Sequence, residues 1–168
     1  MEENNIIYRE DIPRAITNTN PIGIELGVAG GRFSVKLNNK HSFKKFYCVD
    51  KWNDKHNIKE YYDALHRLNK DNIYVLRMSF EEAHTLFEDN FFDFIYIDGY
   101  AHTGQDSGVT INSWYNKLKK GGVYAGHDYN IEEWPKNVEH INNFLTQIDK
   151  KPNLTTEAWA SWWIKKLD

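Results

Sequence analysis

The sequence of 168 residues contains one cysteine, no excess of basic charge and no long apolar run. Its only cysteine, Cys48, cannot form an internal disulfide, so a disulfide-stabilised scaffold is excluded. A formal net charge of −3 gives no electrostatic case for nucleic-acid binding, which depends on a basic surface. No stretch approaches the ~18 consecutive apolar residues of a membrane span, and the acidic N-terminus lacks the layout of a signal peptide. These absences predict a cytoplasmic protein that binds neither nucleic acid nor membrane.

Short apolar runs rich in β-branched and aromatic residues alternate with helical patterns along the chain. The runs start about 20 to 30 residues apart, which is the length of one strand and one crossover helix. They lie at Ile22–Leu26, Phe46–Val49, Ile73–Leu76, Phe94–Ile97 and Gly122–Ala125. After Pro152 the pattern changes to that of a terminal antiparallel hairpin. We therefore expect a single α/β domain over residues 1–168, with a doubly wound, mostly parallel seven-stranded sheet that ends in the hairpin.

Two local signals predict where helices begin. Ser79 and Glu82 have the spacing of a capping box, in which each side chain accepts a hydrogen bond from the other residue's backbone. Pro135 precedes a run of apolar residues at helical spacing and suits the first position of a helix.

Small or polar residues follow each of the five predicted strands, where open parallel sheets bind their ligands. The glycines after the first strand allow a close approach of the backbone, and Glu25 favours a cationic ligand over a pyrophosphate. Asp50 is suited to accept hydrogen bonds from both hydroxyls of a ribose. Trp52 either stacks on an adenine or shields the core. The residues concerned are Glu25–Gly31, Asp50–Trp52, Ser79, Asp98–His102 and His127–Tyr129.

Four motifs, in this order, resemble those of class I S-adenosylmethionine-dependent methyltransferases. They are "IELGVAGG", "CVDKW", "DFIYIDGYAH" and "LKKGGVYAGHDY", and they span Ile22 to Tyr129. Within that class the chain is most similar to the small-molecule O-methyltransferase branch that includes macrocin-type and cephalosporin-hydroxylase-like proteins. The resemblance implies a Rossmann-like methyltransferase fold, S-adenosylmethionine as the cofactor, and transfer of its methyl group to a hydroxyl of a sugar or a phenol.

The resemblance also implies which residues contact the cofactor. In that family the first loop wraps the methionine portion, the acid after the second strand binds the ribose, and residues after the third strand flank the adenine. By match, the cofactor-binding residues are Glu25, Gly27, Val28, Gly30, Asp50, Lys51, Trp52, Ser79, Phe80, Asp98 and His102. His102 has several possible roles besides, since it is also placed to ligate a metal, to act as a base or to cap a helix.

Asp98 and Asp128 follow the fourth and fifth strands, which we expect to be neighbours ~4.8 Å apart. Carboxylates so close repel each other unless a proton or a cation lies between them. They therefore either hold a divalent cation such as Mg²⁺, with His127 as a further ligand, or form a structural pair. Metal-dependent members of the resembling group place carboxylates here, but in some of them an asparagine or acidic residue stands beside the second one, in place of His127 or Tyr129.

We expect Asp98, His127 and Asp128 to be the catalytic residues. His127 is the candidate general base, because an ordinary histidine pKa near ~6.5 suits proton transfer at neutral pH. Tyr100, Tyr129, Trp134 and the N-terminal segment, residues 1–20, are expected to form the pocket for the small-molecule acceptor.

Two other classes of function fit parts of the sequence. A nicotinamide-dependent oxidoreductase agrees with the fold and Asp50, although the loop lacks the second glycine of the dinucleotide fingerprint and carries Glu25. A non-catalytic cofactor-binding module is the other alternative. The six tryptophans suggest an exposed aromatic patch, which predicts a homodimer.

Overall fold

A computed structural model of the chain has a seven-stranded sheet between two layers of helices, and it describes residues 6–54, 57–99 and 104–167. The strands are β1 Ile22–Leu26, β2 Lys45–Asp50, β3 Ile73–Arg77, β4 Phe92–Ile97, β5 Leu118–Gly126, β6 Asn153–Leu154 and β7 Trp162–Lys165. The α-helices are α1 Arg32–Lys40, α2 Ile58–Arg67, α3 Phe80–His84, α4 Val109–Trp114 and α5 Pro135–Gln147. Two 3-10 helices, Arg9–Ala15 and Tyr115–Lys117, precede β1 and β5.

The strand order is β3-β2-β1-β4-β5-β7-β6. Strands β1 to β5 pair in parallel, whereas β7 is antiparallel to both β5 and β6. The predicted fold, with its C-terminal hairpin and adjacent fourth and fifth strands, is confirmed. The direction of winding reverses between β1 and β4, so the ligand site of such a fold lies beyond the carboxyl ends of these strands.

Side chains that alternate along the strands build one apolar core on each face of the sheet. On one face Phe46, Cys48 and Phe94 pack against α1, α2 and the first 3-10 helix. On the other face the strands pack against α3, α4 and α5. Four of the six tryptophans are buried in these cores, namely Trp52, Trp114, Trp162 and Trp163. Most of the tryptophan content is thus used for packing, and the homodimer stays a prediction.

Both predicted helix starts are present. Ser79 Oγ accepts a hydrogen bond from the backbone N–H of Glu82 (3.1 Å), and the Ser79 N–H donates to the Glu82 carboxylate (2.8 Å). Pro135 is the first residue of α5. The first 3-10 helix, for which we predicted no element, contains the fully buried Ile12. None of the described helices combines the length and apolar character that a bilayer crossing requires.

Candidate active site

The loop between β1 and α1 passes close to the end of β4. Gly27 has a φ of +97°, and a Cβ on it would lie 2.6 Å from the Asp98 carbonyl. Its N–H donates to the Val49 carbonyl of β2 at 2.9 Å. Glycine is therefore required here for the approach of two strand ends to each other. The sequence suggested an approach to a ligand as the reason.

Asp50 holds this loop in place. One carboxylate oxygen accepts hydrogen bonds from the backbone N–H groups of Val28 (2.9 Å) and Ala29 (3.0 Å), and the other faces the N–H of Trp52 at 3.2 Å. The Asp50 residue is only 4% exposed. Ala29 and Trp52 both have left-handed backbones, with φ of 47° and 48°, so these bonds also stabilise two uncommon conformations. The contact of Asp50 with a ribose stays a prediction.

Two aromatic residues expected at the cofactor are buried in the cores. Trp52 is 1% exposed, packs against Tyr61, and donates its indole N–H to the Ala29 carbonyl at 2.8 Å. This geometry favours the shielding role over adenine stacking. Phe80 is likewise buried, and its ring lies so close to Gly99 that a Cβ there would be 2.5 Å from it. The contacts of both rings with the cofactor stay predictions.

Glu25 is a buried carboxyl at the floor of the site. It is 1% exposed and accepts a hydrogen bond from Ser34 Oγ of α1 at 2.5 Å. Burial raises the pKa of Glu25 well above its usual range, and the hydrogen bond from Ser34 opposes that rise only in part. A cationic group of a ligand would reverse this effect, because it favours the ionised carboxylate.

Two cavities of similar size open at the carboxyl edge of the sheet. The first has a volume of about 390 Å³ and is lined by the loop Gly27–Gly30, Glu25, Phe33 and Asp98, together with Arg9, Arg32, Glu60, Asp63 and Arg67. The second has a volume of about 400 Å³ and lies beyond β2 and β3, lined by Lys51, Asn53, Arg77, Met78, Ser79 and Glu82. Lys51 and Ser79 thus line a cavity, although the Ser79 hydroxyl is already engaged in the capping box, and their contact with the cofactor stays a prediction.

Asp98, His127 and Asp128 form a compact cluster at the ends of β4 and β5. His127 Nδ1 lies 3.0 Å from Asp128 Oδ1 and 3.3 Å from Asp98 Oδ1. One potential ligand atom from each residue lies within 4.8 Å of the others. Asp128 has a left-handed backbone, φ 57°, and Asn137 of α5 donates to its carbonyl at 3.0 Å, which fixes the turn. The predicted juxtaposition of the two aspartates is present, with the imidazole between them.

The two carboxylates beside His127 affect its protonation. Burial alone would lower its pKa, but hydrogen bonds to Asp128 and Asp98 and the charge of Asp98 outweigh burial and raise the pKa to about 9. Without a metal ion His127 thus favours the protonated form at neutral pH, and its role as a general base stays a prediction. It occupies the place between two carboxylates in which a metal cation would balance the same charges.

Arg9 is a site residue that the sequence analysis missed. Its Nη1 donates to Asp98 Oδ2 at 3.1 Å, and its guanidinium carbon lies 4.2 Å from the centre of the Phe33 ring. Residue 9 precedes every strand, in an acidic segment without periodicity. No sequence signal connects it with a carboxylate 89 positions away.

The remaining predicted site residues divide into two groups. His102 and Tyr100 lie outside the described residues. Tyr129 packs against the core, and its hydroxyl donates to Asn142 of α5 at 2.8 Å. Trp134 is half-buried at the start of α5. The N-terminal segment does reach the site, through Arg9.

Residues 24–129, more than half of the chain, match the family model described as a methyltransferase domain. The chain belongs to the class I S-adenosylmethionine-dependent methyltransferases. No curated protein matches the chain. This methyltransferase assignment agrees with the order of motifs in the sequence and leaves the nicotinamide alternative without support.

Solved structures share the fold of this methyltransferase. A candidate methyltransferase from Streptococcus mutans, in complex with S-adenosylhomocysteine, has a TM-score of 0.73 and 17% identity over 99% of this chain and 100% of that chain. A candidate S-adenosylmethionine-dependent methyltransferase from Methanococcus maripaludis has a TM-score of 0.68 and 22% identity, covering 95% and 83%. An O-methyltransferase from Bacillus cereus, also with S-adenosylhomocysteine, has a TM-score of 0.65 and 15% identity, covering 87% and 74%. Others are named as rRNA methylases, so the shared fold leaves the acceptor open.

The side chains of the first cavity fit the methionine portion of the methyltransferase cofactor. That portion carries an ammonium, a sulfonium and a carboxylate, and the cavity wall accordingly contains both acids and arginines. Glu25 and Asp98 suit the two cationic groups. The second cavity, with its polar wall, lies beyond the carboxyl ends of β2 and β3, the edge of the sheet at which such folds bind ligands.

Proposed function

We propose that this methyltransferase moves the methyl group of S-adenosylmethionine to a hydroxyl of a small molecule, a sugar or a phenol, with a divalent cation at Asp98, His127 and Asp128. The observation that carries the proposal is the cluster itself, with three ligand atoms within 4.8 Å of one another beside the first cavity. The resemblance of the sequence motifs to the macrocin-type branch supports a hydroxyl acceptor. The O-methyltransferase among the similar structures supports it as well.

Two carboxylates and an imidazole are a suitable donor set for a divalent cation. Carboxylate oxygens suit Mg²⁺ or Mn²⁺, and an imidazole widens the choice toward later transition metals. A bound cation lowers the pKa of an acceptor hydroxyl and orients it. His127 has to lose its proton to become a ligand, since only neutral imidazole coordinates a metal. Its raised pKa therefore makes cation binding stronger as the pH increases.

The other residues of the site contribute positioning. Methyl transfer requires the acceptor oxygen, the methyl carbon and the sulfur to lie in line, so the rate depends on how rigidly both reactants are held. Asp50 fixes the loop that forms the wall of the first cavity. Asn137 fixes the turn that carries His127 and Asp128, because it donates to the carbonyls of both. These residues hold the site without touching the reacting atoms.

Chelation tests the cation. Excess chelator should abolish methyl transfer and leave the affinity for S-adenosylhomocysteine, measured by calorimetry, largely intact. Asp128→Asn should lower turnover far more than cofactor affinity, because it removes a charged ligand and keeps the side chain's size. Asp89→Asn is the matched control, since Asp89 is an exposed carboxylate paired with Lys117. Full activity in excess chelator would refute the cation and leave the two aspartates as a structural pair.

A panel of acceptors tests the substrate class. Glycosides, phenols, amines and a short RNA should each be offered with labelled S-adenosylmethionine, and turnover is expected with a hydroxyl compound of low molecular mass. Transfer to RNA or to an amine alone would contradict the proposal. A thermal-shift comparison of S-adenosylhomocysteine with NAD separates the cofactor question from the acceptor question.

A further inference from the structure

The N-terminal segment is anchored to the folded core around Arg9. Ile12 is fully buried, and the half of the segment that follows Arg9 is tied to α1 by Asp11, which accepts a hydrogen bond from Lys40 Nζ at 3.1 Å. Arg9 itself donates its backbone N–H to the Glu157 carboxylate in the turn between β6 and β7, at 2.8 Å. The backbone of Arg9 is thus fixed on both sides, and its side chain enters the site from a defined direction.

The Arg9 guanidinium is held in the first cavity with donors to spare. Its Nη1 bonds to Asp98, one face stacks on Phe33, and the side chain is 25% exposed. A guanidinium has five N–H donors in a planar fork, so its contacts with the Asp98 carboxylate and the Tyr96 hydroxyl use only part of its capacity. The remaining part can serve a ligand that enters the cavity.

Arg9 differs from the two other arginines on the cavity wall. Arg67 donates through Nη1 to the Gly30 carbonyl at 2.5 Å, the same atom lies 3.7 Å from Asp63, and neither partner holds it against an aromatic ring. Arg32 is exposed at the start of α1. Arg9 and Arg67 are both partly buried, but of the three arginines Arg9 is the one that is stacked on an aromatic ring and fixed next to Asp98, which makes it the best organised anion receptor of the three.

We propose that Arg9 binds the carboxylate of the cofactor's methionine portion, through the part of its guanidinium that Asp98 does not use. This inference rests on the cofactor assignment in the proposed function. The carboxylate is the group of that portion that the acids Glu25 and Asp98 repel. A planar guanidinium, in contrast, binds a carboxylate in a bidentate geometry. The N-terminal segment is then a part of the cofactor site, although it lies outside the nucleotide-binding motifs.

The test compares two ligands that differ only in the carboxylate. Calorimetry should measure the affinities of S-adenosylhomocysteine and of its decarboxylated analogue for the wild type, Arg9→Met and Arg9→Lys. Arg9→Met should weaken S-adenosylhomocysteine about 10- to 100-fold, the usual range for a charge-assisted hydrogen bond, and change the affinity for the analogue less than about 3-fold. Arg9→Lys should restore part of the loss. Arg14→Met is the control, since Arg14 lies in the same segment with an exposed side chain.

Each alternative gives a different pattern. An equal loss for both ligands would overturn the proposal and leave Arg9 as a residue that only holds Asp98. Unchanged affinity for both ligands in Arg9→Met would overturn the proposal as well. A rise in the KM for the acceptor would not rescue it. If the wild type itself binds no S-adenosylhomocysteine, the cofactor assignment fails and not the role of Arg9 alone. Melting temperatures exclude unfolding of Arg9→Met, and Arg9→Gln replaces it if it is unstable.

Discussion

Replacing Asp50 with alanine should destabilise the loop that forms the wall of the first cavity. The carboxylate accepts two short hydrogen bonds, from Val28 at 2.9 Å and Ala29 at 3.0 Å, and a longer one from Trp52 at 3.2 Å. A buried hydrogen bond to a charged group contributes about 1.5–3 kcal/mol, so the two short bonds give about 3–6 kcal/mol in total. A domain of this size has about 5–15 kcal/mol of stability, so Asp50→Ala should bring the protein close to unfolding.

Asp50→Asn is the matched variant. Its amide keeps the size of the side chain and one acceptor oxygen, but its NH₂ group would face a backbone N–H on the other side. We expect it to lose about half of the stability that Asp50→Ala loses. Asp71→Ala removes an exposed carboxylate elsewhere and should change the free energy of unfolding by less than about 0.5 kcal/mol.

Urea denaturation with a common m value measures these changes. Amide hydrogen exchange at Val28 and Ala29 reports on the loop directly, and both amides should exchange faster in the Asn variant. The reasoning is refuted if Asp50→Ala is as stable as the wild type and loses only affinity for S-adenosylhomocysteine. That result would assign Asp50 to the ribose and not to the loop.

Two further predictions concern pH. Burial raises the pKa of Glu25 above its value in the unfolded chain, so the folded state loses stability as the pH rises from that unfolded value toward the raised one. Glu25→Gln should remove this loss in urea denaturation. A variant with the wild-type pH profile would contradict the prediction. The pKa of His127 is raised to about 9 in the folded protein without metal. The stability that His127 contributes is therefore complete below pH ~6.5 and disappears as the pH rises through about 9, a change of roughly 3 kcal/mol in the free energy of unfolding. His127→Gln should abolish this pH dependence when it is measured in chelator. A flat profile for the wild type over that range would refute the charged bridge.

The sheet could be predicted from the sequence because its signals are local. Each strand is an apolar run bounded by polar residues, and the spacing between runs permits only a crossover helix, so the parallel order follows. The capping box at Ser79 and the proline at the start of α5 are also local signals, and both are present. The neighbouring positions of Asp98 and Asp128 follow from strand order alone.

The side-chain contacts within the site could not be predicted in the same way. Trp52 and Phe80 stand where the motifs place ligand contacts, but which way a ring turns depends on residues distant in sequence, such as Tyr61 and Gly99. Arg9 reaches Asp98 only because Ile12 and Asp11 anchor its segment to the core. The charge of His127 depends likewise on two carboxylates from two strands. Such contacts require the assembled fold.

Asp98 connects the two halves of the proposed reaction. One of its oxygens bonds to Arg9 in the cofactor cavity, and the other faces His127 in the cation cluster. Asp128 belongs to the cluster, where its Oδ1 lies 3.0 Å from His127 Nδ1. Asp98→Asn should therefore weaken both S-adenosylhomocysteine and Mn²⁺ in calorimetry, by about 10-fold or more each for a lost charged contact. Asp128→Asn should weaken Mn²⁺ alone. If Asp98→Asn, like Asp128→Asn, weakens Mn²⁺ and leaves the affinity for S-adenosylhomocysteine unchanged, Asp98 acts on the cation side only. Arg9 then does not link the cofactor to the cluster.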